Sequence, residues 1–342
     1  FSEKLIIYLI GTTFLTHHIC IWMDTMDKRD KRKKRVFQLG ILLLLGTILC
    51  LKYRNFFFGN VSKLAMVLHI DWSYQDQLIF LPIGISFYTL SAIGYMADVY
   101  WGKVKAEYSL VKTALFLGFF PVIVEGPICR WEDVEDTLFK NESVKAENVF
   151  KGCYRIIWGL FKKMIIADRL AVLVDKVYVG YESYSGAVIV AAAISYTIQL
   201  YMEFSGCMDM VIGSAGLFGI RLPENFSQPF FAKTCTDFWK RWHITLGVWF
   251  KNYIFYPVSI SKTARKWNKF TRKHFKGDFG KYVARMGIAA MALFPVWISN
   301  GLWHGPKWNY IFYGLYYFGL IFMGLALEPV RDRILAVLHI NP

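Results

Sequence analysis

Long apolar runs are the feature that most restricts how this chain can fold. Residues 5–23, 185–204 and 308–327 each approach the length of about 20 mainly apolar residues that a helix needs to cross a bilayer. Apolar side chains make up 55% of the 342 residues, more than an ordinary soluble domain carries. Within lipid the backbone must satisfy its own hydrogen bonds, which a helix does by itself. The sequence therefore predicts an all-α, polytopic integral membrane protein.

The same pattern predicts where helices break or leave the bilayer. Pro82 and Gly84 interrupt the run 78–101, and a break at membrane depth requires packing against protein or a water-filled cavity. Residues 52–70 and 147–178 mix cations with apolar side chains, which favours interfacial or steeply tilted helices. The other predicted spans are 36–51, 109–124, 185–204 with its continuation 206–220, 283–299 and 308–327.

Two strongly basic segments predict the orientation of the chain. Residues 24–35 include seven Lys or Arg between Lys28 and Arg35, and residues 261–281 include eight against a single Asp278. Because cytoplasmic loops carry an excess of Lys and Arg, both segments are predicted to be cytoplasmic loops. The net charge of +15 is therefore assigned to a cytoplasmic face and to anionic membrane lipid, and not to nucleic acid.

The chain gives no sign of division into domains and no sign of a metal site. No repeat of fixed period and no linker tract occurs, so residues 1–342 are interpreted as a single membrane domain. The six cysteines have neither the spacing of a disulfide framework nor that of a zinc site.

Two further local features are a glycine-containing stretch and the start of the chain. "GSAGLFG" lacks the preceding strand of a dinucleotide loop and favours helix packing through small residues. The start lacks both an initiator Met and a signal peptide, so we expect a longer protein.

Residues 237–257, which begin "DFWKRWHITL", are predicted to form one amphipathic helix with a histidine beside its apolar stripe. His243 borders the stripe, whereas Lys240 and Arg241 lie off it. Taken alone, this histidine is better explained as a residue packed at the membrane interface, with its imidazole capped by a hydrogen bond to a neighbouring carbonyl oxygen. The stripe recurs at spacings of three and four residues and consists of Trp239, Trp242, Leu246, Trp249 and Tyr253.

His304 lies between two apolar runs and is the stronger candidate for chemistry. Gly301 and Gly305 flank it and allow close approach of another backbone or a ligand. An ionisable residue at membrane depth is costly unless it is neutral, partnered or facing a cavity. A neutral imidazole could take a proton from an acceptor hydroxyl, although interfacial packing is the alternative.

Two carboxylates within an apolar run are candidate supporting groups. Glu203 and Asp209 are six residues apart and lie on different faces of a helix, which argues against a paired acid/base site. Each is predicted to form an ion pair, for example with Arg241, or to orient a histidine.

Eight blocks follow one another along the chain: "PIGISFYTL", "GYMADVYWG", "FFPVIVEGPICRWEDV", "GLFKKMIIADRL", "YTIQLYMEFSGCMDMVIG", "GIRLPENFSQPF", "DFWKRWHITLGVWFKNYIFYP" and "SNGLWHGPKWNYIFYGLYY". In this order they resemble the bacterial branch of the membrane-bound O-acyltransferases, and most closely its alginate O-acetyltransferase type. Glu203, Cys207 and Met208 depart from the Asp, Tyr and Ser that are usual in that type. Full-length relatives carry one or more earlier spans, so N-terminal spans are expected to be missing.

The resemblance implies a helical bundle, with broken and interfacial helices, around a central tunnel between a cytosolic funnel and an outer opening. His304 is then the general base toward the acceptor hydroxyl, and His243 orients or polarises the carbonyl of a thioester. The segment 237–257 is expected near the cytosolic mouth, where Lys240, Arg241 and the cations of 262–281 attract the donor's phosphates. The other residues assigned to donor or substrate binding are Trp239, Trp242, Trp303 and Asn300.

The implied function is acyl transfer in a bacterial inner or plasma membrane, with acetyl-CoA as donor and with no bound cofactor. The acceptor is a hydroxyl of a cell-surface polysaccharide or of an outer-face acetyltransferase partner. D-alanyl transfer from an acyl carrier protein toward teichoic acid is the alternative within the family. A transporter, whose path the break at Pro82 would line, and an inactive scaffold are the alternatives from other classes.

Overall fold

The computed structural model describes residues 5–27, 29–140 and 144–339, so Lys28 of the predicted basic loop 24–35 lies outside the described residues. Within these ranges the chain is helical and contains no β-strand, apart from an isolated antiparallel bridge between Phe226 and Trp242. The predicted all-α class is confirmed. The chain divides into two compact units. The assignment of residues 1–342 to a single domain stays a prediction.

The first unit comprises the residues up to Leu45, Leu81–Ser227 and Trp242–Thr245. Its helices are α1 (Ile6–Asp24), most of α2 (Lys31–Ile48), α4 (Ile85–Trp101), α5 (Leu110–Gly118), α6 (Phe120–Ile123), α7 (Trp131–Leu138), α8 (Ala146–Leu160), α9 (Asp168–Val179) and α10 (Gly186–Leu217).

The second unit comprises Gly46–Phe80, Gln228–Arg241 and the residues from Leu246 onward. Its helices are α3 (Arg54–Val67), α11 (Cys235–Arg241), most of α12 (Ile244–Phe250), α13 (Tyr256–Ser259), α14 (Lys262–His274), α15 (Gly277–His304), α16 (Trp308–Ala326) and α17 (Glu328–Val337).

Five helices of the described chain are long and apolar enough to cross a membrane: Ile6–Asp24, Lys31–Val67, Gly186–Leu217, Gly277–His304 and Trp308–Ala326. They account for the predicted runs 5–23, 36–51, 185–220, 283–299 and 308–327. The predicted run 109–124 is not one continuous helix, because it is divided between α5 and α6. Pro121 lies at the start of α6 and cannot donate a backbone hydrogen bond to the preceding turn.

The helix predicted to break at Pro82 and Gly84 begins only at Ile85. Gly84 caps it in the left-handed region at φ 72°. A Cβ at this position would lie 1.7 Å from the carbonyl oxygen of Ile123. Both the backbone conformation and the contact therefore require glycine here.

Among the residues that the structure describes, three π-helical segments interrupt the helices, at Leu49–Tyr53, Phe161–Ala167 and Lys251–Phe255. Each contains at least one lysine: Lys52 in the first, Lys162 and Lys163 in the second, and Lys251 in the third. The first joins α2 to α3, so residues 31–67 form one long helix where a separate interfacial segment 52–70 was predicted. A π-helical turn contains one more residue than an α-helical turn and is frequent at functional sites.

Two pairs of glycines set the contact between α8 and α10. A Cβ on Gly159 would meet the carbonyl oxygen of Gly206 at 2.6 Å, and one on Gly206 would meet that of Gly159 at 2.8 Å. Gly152 and Gly213 form the second pair, with both corresponding distances at 2.8 Å. The backbones therefore touch at two places, seven residues apart on each helix.

The two basic segments are loops only in part: residues 25–27 and 29–30 connect α1 to α2, and the rest of the described residues are mostly helical. Residues 31–35 begin α2, and most of 261–281 forms α14 and the start of α15. Ser261 caps α14 by accepting from the backbone N–H of Ala264 at 3.2 Å, and Lys and Arg are favourable helix formers. Ala264 and Thr271 are buried, while the exposed side chains of α14 include Lys262, Arg265, Lys266, Lys269, Arg272 and Lys273.

Candidate active site

His304 is the last residue of α15 in the second unit, and its side chain is exposed. The helix ends there because Gly305 is extended, at φ 169° and ψ 167°, and Pro306 has no backbone N–H. A histidine at this position projects from a helix terminus at the end of a 28-residue apolar helix. The imidazole is therefore exposed at the end of a long helix.

Aromatic side chains of the second unit form a continuous wall from His304 to α11. The imidazole stacks on Tyr310 at 6.0 Å between ring centroids and meets the edge of Tyr313 at 5.5 Å. Tyr313 contacts Tyr317 at 5.0 Å, and Tyr317 lies 4.8 Å from Trp239 of α11. The wall therefore brings Trp239, which was predicted to bind donor or substrate, into the same set of contacts as His304.

Asn300 and Trp297 continue this face of α15, at spacings of four and seven residues before His304. Both are buried, with exposures of 6% and 5%. In the described part of the chain, Oδ1 of Asn300 and Nε1 of Trp297 have no hydrogen-bond partner. Buried polar atoms without a partner are rare in proteins, so these two are candidates to contact a bound molecule.

α15 and α16 approach closely at the level of these residues. A Cβ on Gly301 would lie 2.3 Å from the carbonyl oxygen of Tyr310, and one on Gly314 would lie 2.4 Å from that of Trp297. The predicted role of Gly301 in close backbone approach is therefore seen between these two helices. This contact fixes the aromatic side chains of α16 against the helix that carries His304.

His243 lies in the first unit, in a sharp break between α11 and α12. The single helix predicted for 237–257 is therefore wrong, because His243 adopts a left-handed conformation at φ 48° and Trp242 leaves the helix to pair with Phe226. A positive φ is uncommon for a residue other than glycine and is often found at functional sites. The break separates Trp239 from Trp242 and ends the predicted stripe.

The break buries the His243 imidazole, which is 4% exposed, against a polar cluster around Asn225. His243 Nδ1 lies 3.2 Å from Asn225 Oδ1. The same oxygen accepts from the backbone N–H and the hydroxyl of Thr245, each at 3.0 Å. The Thr245 hydroxyl in turn accepts from the backbone N–H of Ile128 at 2.9 Å. The ring of His243 meets Phe204 edge-on at 4.9 Å.

This cluster determines which imidazole nitrogen carries the proton. Because Asn225 Oδ1 is an acceptor, His243 donates through Nδ1, and in a neutral imidazole Nε2 is then the acceptor. A neutral His243 therefore cannot polarise a carbonyl through Nε2. That role requires the imidazolium, in which both nitrogens donate.

Replacing Asn225 with leucine is expected to destabilise the protein by about 2–5 kcal/mol, because Thr245 and His243 would lose their shared buried acceptor. Thermal unfolding in detergent measures the effect. Asn309→Leu, at an exposed position, is the control. Equal melting temperatures for the two variants would contradict the structural importance of the cluster.

The predicted donor-binding cations lie at the end of α11 in the second unit. Arg241 donates to Asp237 at 3.1 Å, which holds the pKa of that carboxyl below its usual range. Lys240 is exposed. Glu203 and Asp209 belong to the first unit, so the pairing of Arg241 with either of them stays a prediction.

Glu203 and Asp209 form ion pairs with other elements of the first unit. Glu203 accepts from Lys163 at 2.8 Å. Asp209 accepts from Lys162 at 2.6 Å and from Arg155 at 3.0 Å. Both carboxylates of α10 thus pair with the end of α8 and the π-helical segment that follows it. No group of three His, Cys, Asp or Glu residues in the described ranges could hold a metal ion.

Several residues of these clusters were not predicted from the sequence. Tyr310, Tyr313 and Tyr317 recur at spacings of three and four residues within "NYIFYGLYY", and this helical pattern could have revealed one aromatic face. Asn225 lies in "LPENF", where no local pattern indicates a partner 18 residues away.

In the described part of the chain, five apolar helices are long enough to cross a bilayer, which defines a multi-pass membrane protein. The imidazole at the end of one of these helices is its candidate active site. The chain belongs to the membrane-bound O-acyltransferase family, whose model matches residues 103–273. That range includes His243, whereas His304 lies beyond its end.

Curated relatives act on different polymers. The chain is similar to "Probable alginate O-acetylase AlgI" of Pseudomonas putida, with 32% identity over 90% of this chain and 58% of the relative. It is also similar to "Peptidoglycan O-acetyltransferase" of Helicobacter pylori, with 30% identity over 96% of this chain and 61% of the relative. "Teichoic acid D-alanyltransferase" of Bacillus subtilis shares 29% identity over 69% of this chain and 56% of the relative. The chain thus spans less than two thirds of the length of these relatives.

Proposed function

We propose that this chain is the core of a membrane O-acyltransferase that moves an acetyl group from acetyl-CoA on the cytosolic side to an acceptor hydroxyl. The observation that carries the proposal is the exposed imidazole of His304, held at a helix end beside an aromatic wall. The names of the relatives support acyl transfer, since they include two O-acetyl transferring proteins and a D-alanyl transferring one.

In the proposed reaction the acceptor hydroxyl attacks the thioester carbonyl while His304 takes its proton. The C–S bond then breaks, the thiolate of CoA leaves, and the proton passes to it, so that the products are an acetyl ester and CoA. Oδ1 of Asn300 and Nε1 of Trp297 are one and two turns away and could orient the acceptor. Trp303 and Trp239 complete the proposed aromatic lining.

His243 is proposed to act on the donor. Its Nδ1 contact with Asn225 fixes the ring, and the imidazolium form would donate through Nε2 to the carbonyl oxygen of the thioester. Trp242, which packs against Phe226 at 5.1 Å, would support the same part of the path. The two histidines belong to different units.

The phosphates of CoA are proposed to meet the cations of α11 and α14. Lys240 is exposed, and α14 presents six Lys or Arg side chains without an acidic residue on the helix. Such a surface attracts polyanions, and the attraction weakens with ionic strength. On this proposal both helices lie at the cytosolic face of a bacterial plasma membrane.

D-alanyl transfer from a carrier protein is the second candidate, because a teichoic acid D-alanyltransferase is among the relatives. The basic surface of α14 would also suit an acidic carrier. For the acceptor, the names of the relatives point to alginate or peptidoglycan, and an outer-face partner protein could receive the acetyl group first.

A donor assay separates the two candidates. We expect the protein, reconstituted in liposomes with alginate oligosaccharides, to release free CoA thiol from acetyl-CoA at a rate that depends on the acceptor. A D-alanyl-loaded carrier protein is the comparison donor. Turnover with the loaded carrier alone would refute acetyl transfer, and turnover with neither donor would refute both proposals.

A further inference from the structure

The end of α15 is held by two side chains from another helix of the second unit. Lys52 Nζ donates to the carbonyl oxygen of Trp303 at 2.6 Å. The hydroxyl of the next residue, Tyr53, donates to the carbonyl oxygen of Leu302. The two carbonyls therefore belong to the two residues that immediately precede His304.

These contacts satisfy groups that a helix cannot satisfy by itself. The last four carbonyls of an α-helix have no partner within the helix, and together they form its partly negative end. Gly305 is extended, so the chain does not form the left-handed turn that usually caps such an end. Lys52 and Tyr53 take over this role for two carbonyls, and the ammonium group carries a charge that suits the helix end.

Lys52 is also costly where it lies, since the helix Lys31–Val67 is long and apolar enough to cross a membrane. A lysine in such a helix requires a partner, and the end of α15 supplies one. Lys52 and Tyr53 are the last two residues of the π-helical segment Leu49–Tyr53. The additional residue widens that turn of the helix, and both side chains reach α15 from the widened turn.

We propose that Lys52 and Tyr53 are positioning residues that hold the last turn of α15, and with it the imidazole of His304, against Tyr310 and Tyr313. This inference rests on the proposed function, in which His304 is the general base. A displacement of about 1 Å at a reacting group can lower a rate about 100-fold, so fixing this turn matters for the reaction.

Lys52→Met and Tyr53→Phe test the proposal, with Lys63→Met on the exposed surface of α3 as the matched control. We expect the first two variants to lower kcat for acetyl transfer by about 10- to 100-fold and to leave KM for acetyl-CoA within about twofold. Lys52→Arg retains a cationic donor and is expected to recover most of the rate. An equal loss in Lys52→Arg and Lys52→Met, or a change confined to KM, would overturn the proposal.

A second measurement does not depend on activity. The rate at which diethyl pyrocarbonate modifies His304, read by mass spectrometry, is expected to change at least threefold in Lys52→Met and Tyr53→Phe. The rate at His274, exposed on α14, is expected to stay constant. If the wild-type protein transfers no acetyl group while the His304 rate still changes, the positioning stands and the proposed function fails. Unchanged His304 rates in both variants would overturn the positioning itself.

Discussion

Replacement of His304 with alanine is expected to lower acetyl transfer by about 100- to 10,000-fold, the range that a general base commonly contributes. The imidazole is exposed at the end of α15, so its removal leaves no buried partner unsatisfied and should not unfold the protein. The loss should therefore appear in kcat, measured as CoA thiol released by the reconstituted protein at saturating acetyl-CoA. Thermal unfolding should remain close to that of the wild type.

The matched control is His274→Ala, which removes an exposed histidine from the end of α14. This variant is expected to transfer acetyl groups at the wild-type rate. A His304→Ala protein that keeps the wild-type rate would remove His304 from the mechanism and leave a transporter or a scaffold as the better explanation. A loss in His304→Ala accompanied by unfolding would be resolved by His304→Gln, which keeps the volume of the side chain.

Gly206→Ala is expected to destabilise the first unit by about 3 kcal/mol, since the new Cβ would lie 2.8 Å from a backbone oxygen of α8. The sign of this effect is informative. Within a helix, alanine is ordinarily more favourable than glycine by about 1 kcal/mol, so a loss of stability can come only from the contact. Thermal unfolding in detergent is the measurement, and Gly159→Ala should produce a loss of similar size.

Gly186→Ala is the control on the same helix, because a Cβ there meets nothing within 4 Å. That variant is expected to be as stable as the wild type or slightly more stable. The double variant Gly159→Ala/Gly206→Ala should lose less than the sum of the two single losses, since both residues form one contact. Strict additivity would show that the two residues do not share one contact. A Gly206→Ala protein as stable as Gly186→Ala would show that the two helices separate at little cost.

The sequence predicted the membrane helices well where apolar runs were long and unbroken. Within the predicted run 185–220, Gly186–Leu217 form one helix of 32 residues, because no proline interrupts them and glycines at Gly206 and Gly213 favour close packing. The sequence did not predict that the run 109–124 is divided into two helices next to Pro121. The basic segments were assigned to loops because charge alone indicates exposure to water and says little about backbone conformation.

The candidate site could be predicted only in part. His304 was identified from its flanking glycines and its place between apolar runs, and both are local signals. The break at His243 could not be predicted, since its left-handed backbone is stabilised by a buried amide from another part of the first unit. Lys52 was assigned to an interfacial segment, because its partner at Trp303 lies 251 residues away and no spacing rule connects them.

The π-helical segment Leu49–Tyr53 limits how the length of this region can change. Deleting one residue from it would turn the wide turn into an ordinary one, which keeps the flanking helix nearly in phase but changes which side chains of the turn face α15. Lys52 and Tyr53 would then lose the positions from which they donate to the last carbonyls of α15. Loss of a single codon here would thus be more harmful than most substitutions, and a chimera that exchanges this helix for a relative's must keep the number of residues as well as their identity.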